Sequence, residues 1–177
     1  MNYLPWILIT LIFSAFFSGM EIAFVSSNKL RIEIDKKRGY LISSFLSVFT
    51  RHPSYYIATM LIGNNVALVI YGLAMTGLLN PYLGGITDSD SGILALKTLI
   101  STIIILFFAE FLPKTIFRVN PNSVLRIFAF PVMFFYSLFY PVTRFSIAIS
   151  SVVLRIFFGV KSSEADSKSV FDRFDLN

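Results

Sequence analysis

Long uncharged runs alternate with short polar ones, and that alternation predicts the elements. Met1–Met20 and Pro53–Thr87 carry no charged residue, and a bilayer-crossing helix needs about 20 apolar residues. The first span is predicted at about residues 4–25. Met1-Asn2-Tyr3-Leu4-Pro5 puts no positive charge ahead of the apolar run, so the run reads as a retained span, not a cleaved signal. Residues 26–52 are polar and basic. Lys29, Arg31, Lys36, Lys37, Arg38 and Arg51 outnumber Glu33 and Asp35 there, which predicts a cytoplasmic loop. Within it Leu41, Ile42, Phe45, Leu46 and Phe49 recur at helical spacing, predicting an amphipathic helix on the membrane surface.

The second span is predicted at about 55–79. Asn80-Pro81, Gly84-Gly85 and Asp88-Ser89-Asp90-Ser91-Gly92 are breaker signals and predict an external turn. The Asp88/Asp90 pair lacks the spacing of an EF-hand and reads as a solvated cap for the next helix. The third span is predicted at about 93–113, with Lys97 snorkelling at its outer end. After Asn120-Pro121-Asn122 comes an aromatic stretch to Phe158. Its uncharged part, 127–143, is only 17 residues with two prolines, and seven of the 17 are Phe or Tyr. That composition suits kinked interfacial helices at about 122–158 rather than a fourth span. The predicted fold class is therefore an all-α membrane protein, with three transmembrane helices plus cytoplasmic-side amphipathic and juxtamembrane helices. An outside N-terminus and three spans leave the C-terminus cytoplasmic.

Composition agrees. The 177 residues are 55% hydrophobic and 14% charged, with a mean hydropathy of +0.74, which departs strongly from soluble averages. There is no Cys and one His, so thiolate sites and His-rich zinc or iron sites are excluded. The net charge of +5 comes from residues beside apolar runs, where anionic lipid headgroups are the fitting partner and nucleic acid is not.

Polar residues inside the spans carry the chemistry. Thr10, Ser14, Ser18 and Glu21 are spaced 4, 4 and 3 and share one helix face within an arc of roughly 80°. Ala15, Gly19 and Ala23 form a small-residue stripe beside them. The plain alternative is hydroxyls bonding to their own i−4 carbonyls. Ile62-Gly63-Asn64-Asn65 puts adjacent amides inside the second span, where both cannot face lipid cheaply, and Asn65, Gly72 and Thr76 share a face. Interhelical amide bonding is the alternative there. In Ala109-Glu110-Phe111-Leu112-Pro113-Lys114, a carboxylate sits near the inner end of a span. Pro113 has no N–H to offer the Ala109 carbonyl. A carboxylate beside a freed carbonyl suits a hard cation. The alternative is a Glu110–Lys114 ion pair at i, i+4 with no ligand role.

Together Ser14, Ser18, Glu21, Asn64, Asn65, Glu110 and the Ala109 carbonyl are all oxygen donors, suited to Mg2+, Ca2+ or an alkali cation. There is no Ser/His arrangement, His-Glu-x-x-His or phosphate-binding Gly loop, so the sequence predicts no enzyme.

Ser14-Ala15-Phe16-Phe17-Ser18-Gly19-x-Glu21, then Ile62-Gly63-Asn64-Asn65, then Glu110-x-x-Pro113-Lys114 with Asn120-Pro121 following, closely resemble the membrane domain of the CorC/CNNM (cyclin-M) magnesium transporters. The resemblance covers roughly residues 5–160. It implies a homodimer, three spans per subunit, a juxtamembrane belt and Mg2+ efflux with Na+ as the proposed coupling ion. It also implies an ion site at Ser14, Ser18, Gly63, Asn64 and Glu110, with Asn65 beside them; Glu21, Pro113 and Lys114 are read as supporting residues. Two positions depart from the family pattern. Ala109 stands where Gly is frequent, and Leu68 where a further Asn is common. Residues 1–160 are accordingly read as the transmembrane domain and 161–177 as a cytosolic linker. The regulatory CBS domains the family implies are absent from this sequence. Two other classes stay open: a non-transporting membrane scaffold or sensor with a structural cation, and a transporter of another cation.

Overall fold

A computed structural model describes residues 2–39, 41–83 and 89–158. All regular structure among them is helical. In chain order the elements are α1 (Leu4–Ser26), α2 (Lys29–Lys37), α3 (Leu41–Arg51), α4 (Pro53–Leu83), α5 (Asp90–Ile104), a π-helical turn (Ile105–Phe111), α6 (Leu112–Val119), α7 (Pro121–Ile127) and α8 (Ala129–Phe158). The predicted turn glycines at 84–85, Asp88 and the predicted linker at 161–177 lie outside the described residues.

Pro5 stands in the first turn of α1, where its missing N–H costs nothing. The helix is built inside out by soluble standards. Leu8, Ile9, Ile12 and Phe13 are exposed, while Thr10, Ser14 and Ser18 are buried. Polar groups turned inward and apolar ones outward are what a lipid solvent selects. The helix stops at Ser27, whose hydroxyl donates to the Phe24 carbonyl at 2.7 Å. Asn28 then caps α2 by accepting the Arg31 N–H at 3.1 Å. Gly39, at φ +84°, closes α2 in the left-handed region that only glycine enters without cost.

α3 does more than lie on a surface. Leu46 and Phe49 enter the main core with Phe17, Met20, Phe24, Tyr56 and Met60, while Ile42 and Phe45 stay exposed. Asp35 of α2, nearly buried, pairs with Arg126 of α7, and the Asn28 N–H donates to Asn122 Oδ1 at 3.2 Å. These two contacts tie the α1–α2 corner to α7.

α4 is longer than the predicted second span. It begins at Pro53 and continues through Asn80 and Pro81 to Leu83. A proline this close to a helix end removes one donor without breaking the ladder ahead of it. Asn80 also accepts from Lys97, so Lys97 bridges to α4 instead of snorkelling freely. α5, the π turn and α6 form one continuous run over Asp90–Val119. Ser89, and not an aspartate, stands at the N-cap position of α5, and Asp90 falls in its first turn, where a carboxylate suits the helix N-terminus.

The region after Asn120 differs from the prediction in form. Asn120 does break the chain between α6 and α7. Beyond Phe128, however, α8 is one 30-residue helix with Pro141 inside it. Its Ala129–Val153 portion is long and apolar enough to cross a bilayer, as are α1, α4 and the Asp90–Val119 run. Four segments thus qualify by length and composition where three were expected. The expectation gave Pro131 and Pro141 too much weight. Pro131 falls in the first turn of α8, and Pro141 removes one bond from a helix whose other bonds remain.

Candidate functional site

The candidate site lies on α1, which packs against both α4 and the π turn. Gly63 makes the α1–α4 approach close. A Cβ at this position would lie 2.5 Å from the Phe17 ring, so the ring occupies the space a side chain would fill. The small residue permits close backbone contact, the general device for packing helices in lipid. Gly19 does the same toward α6, with Phe117 2.7 Å from where its Cβ would be.

One helical turn from that seam, the Ser14 hydroxyl donates to Asn64 Oδ1 at 2.6 Å. Ser14 is fully buried. Thr10, by contrast, bonds back to the carbonyls of Trp6 at 2.7 Å and Ile7 at 3.0 Å, the plain alternative weighed for all the hydroxyls of this face. Thr76 likewise bonds to the Gly72 carbonyl at 2.8 Å. Ser18 does neither. It is 1% exposed, and its Oγ is the one buried side-chain polar atom without a hydrogen-bond partner among the described residues. An orphaned buried hydroxyl costs about 1–3 kcal/mol and calls for an explanation such as an ion.

Glu110 is carried by the π turn, which packs against α1. The Leu112 N–H bonds to the Phe107 carbonyl, five residues back instead of four. Widening the turn just before Pro113 eases the clash that a proline ring makes with the carbonyl of residue i−4, here Ala109. Such π bulges recur at functional sites. Ala109 is fully buried and Pro113 is buried. The Glu110 side chain remains one-third exposed and stands 3.8 Å from Lys114 Nζ. The i, i+4 ion pair is therefore part of the structure.

The structure thus joins Ser14 to Asn64, sets Ser18 one turn along on the same face, and packs the Glu110 turn against that helix. Asn65 is exposed, on the part of α4 about 100° round from Asn64. Glu21 is half-buried one turn beyond Ser18. No group of three or more His, Asp or Glu that could hold a metal occurs among the described residues, and the oxygens of Ser14, Ser18 and Asn64 are neutral. The 2.6 Å between Ser14 Oγ and Asn64 Oδ1 is an ordinary hydrogen-bond length. Mg2+ holds six oxygens at 2.0–2.1 Å, which puts neighbouring ligands about 2.9 Å apart. The Ser14 and Asn64 oxygens, 2.6 Å apart, need only separate slightly to form one edge of such an octahedron, once the Ser14 proton turns away.

Two features escaped the sequence reading. The Phe17–Gly63 contact has no local signal, because it depends on which helices meet. The π turn was only half visible: Pro113 marked a break, but nothing in the residues specifies five-residue bonding.

Residues 6–177 match the family described as the Cyclin M transmembrane N-terminal domain. The chain is 30% identical over 158 residues to the UPF0053 protein MG146 of Mycoplasma genitalium, covering 84% of this chain and 35% of that protein. It is also 30% identical over 161 residues to the UPF0053 inner membrane protein YfjD of Escherichia coli, covering 89% of this chain and 35% of that protein. The chain spans about a third of the length of these curated relatives.

Proposed function

The chain belongs to the cyclin M transmembrane domain family, and on that premise we propose that it carries Mg2+ across the membrane as cargo. The supporting observation is the partly buried Ser14–Asn64 oxygen pair, one helical turn from the unpartnered Ser18 hydroxyl. The reading is efflux, with inward Na+ as the coupling ion, and it involves no catalysis. Ser14, Ser18 and Asn64 replace part of the hydration shell. Glu110 supplies the charge that a divalent ion needs in a medium of low dielectric. The test is reconstitution into liposomes. Mg2+ movement by the wild type, absent in Glu110→Ala, is the expected result.

One observation favours a second reading. Ser14 and Asn64 also satisfy each other, and Glu110 has Lys114. A scaffold with packing bonds would look similar. Mg2+ binding without any flux would move that reading to the front.

In the proposed topology the N-terminus is outside, and the basic α2–α3 end faces the cytoplasm and its anionic headgroups. α8 packs at that end and does not cross. Its ring and hydroxyl contacts support this: they fall on Phe13, Phe16 and Phe17 of α1, on α3, and on Tyr55 and Thr59 in the first turns of α4. Single cysteines at Phe145 and Ile156 should be labelled from the same side as one at Arg38. Labelling of Ile156 from the opposite side would make α8 a fourth span. A homodimer is proposed as well. α5 buries none of its residues within one chain, and the exposed amide of Asn65 needs a polar neighbour in a span. Crosslinking in membranes that traps only monomer would remove the dimer.

A further inference from the structure

Lys114 is the cation paired with Glu110 on the third long apolar run. It stands 3.8 Å from the Glu110 carboxylate, one helical turn along the chain, with 43% of its side chain exposed. Lys114 also lines a cavity of about 410 Å³ between the inner end of α1 and α6, together with Ile22, Phe111, Thr115 and Arg118. Its ammonium group therefore has two places to be: against Glu110, or out in this open groove.

We infer that Lys114 is a tethered counter-cation, which yields Glu110 to Mg2+ as the ion arrives and takes the carboxylate back as the ion leaves. The inference rests on the transport reading above and deepens it. A lone carboxylate left in a membrane span is expensive. With Lys114 beside it the pair is neutral. With Mg2+ bound, an ammonium at the same carboxylate is a like charge a few ångströms from a dication, and the attraction that held it becomes repulsion. The groove receives it, and the four-carbon stem spans the distance without moving the backbone. The device lowers the affinity for Mg2+ on purpose, because a carrier must let go of its ion as well as hold it. Arg118, one turn further along and exposed, is not the same group. It lies too far along α6 to bridge to Glu110 in the i, i+4 geometry.

The test is Mg2+ titration of the melting temperature of the purified protein, comparing wild type, Lys114→Met, Lys114→Gln, Lys114→Arg and Glu110→Ala. Removing the competitor should tighten Mg2+ binding by about two- to fivefold in Lys114→Met, the discount for a partly exposed pair included. Lys114→Gln, an independent neutral variant, should do the same if the first folds poorly. Lys114→Arg, which keeps the charge, should bind as the wild type does. A merely structural role predicts weaker or unchanged binding in the neutral variants, and either result overturns the inference while leaving the Mg2+ site standing. A wild type that does not respond to Mg2+ at all overturns the site reading and this inference together.

Discussion

Replacing Glu110 by alanine is expected to erase the Mg2+-dependent rise in melting temperature. A ligand that binds only the folded state stabilises it by mass action, by about 2.7 kcal/mol at a hundred times its Kd. Neutral oxygens from Ser14, Ser18 and Asn64 can solvate Mg2+, but they cannot offset its charge in a medium where water is scarce. Glu110 is the carboxylate of the π turn that packs on the serine-bearing helix. Without Mg2+ the same substitution should matter little. The Glu110–Lys114 pair is 3.8 Å long and partly exposed on both sides, and such pairs contribute about 0–1 kcal/mol. The effect is thus specific: nearly normal stability without Mg2+, and none of the stabilisation with it. Equal Mg2+ shifts in the two proteins would falsify the assignment of Glu110.

Ser18→Ala should move stability and binding in opposite directions. The Ser18 hydroxyl is buried without a partner, so deleting it should raise stability in the absence of Mg2+ by about 1–3 kcal/mol. The same deletion removes one oxygen from the ion, so half-saturation of the Mg2+ response should shift to about tenfold higher concentration. A hydroxyl kept only for packing would give the first effect without the second. A loss of stability without Mg2+ would mean that the Ser18 hydroxyl has a partner in the folded protein. Thr10, which spends its hydroxyl on the Trp6 carbonyl, is the internal comparison. Thr10→Ala should leave the Mg2+ response unchanged.

Much of this was legible in the residues, and the limits have physical causes. The first span, predicted at about 4–25, is observed as Leu4–Ser26, because an uncharged run bounded by polar residues is a one-dimensional signal. The second span overran its predicted end at Asn80-Pro81. Breaker residues express local preference, and a packed helix end overrides it. The site was legible as a list of oxygen donors, because polar residues inside apolar runs are conspicuous. Which donors meet was not. Ser14 finds Asn64 across 50 residues of sequence, and Asn65, one position on, is left exposed. Asp35 and Arg126, 91 residues apart, could not have been paired from spacing at all.

The Phe17 ring seated over Gly63 behaves mechanically as a key in a slot. A shift of α1 along α4 has to lift a phenyl ring over the flanking side chains, so these two helices move as one rigid stave. Ser14 and Asn64 ride on that stave and keep their spacing. The run from Asp90 to Val119, whose first half buries nothing within the chain, has no comparable key along that half. The half that carries Glu110 does have one, because Phe117 of α6 fills the space over Gly19 of α1. The neutral oxygens and the carboxylate turn are thus both keyed to α1, and the outer half of the run is the part without a key.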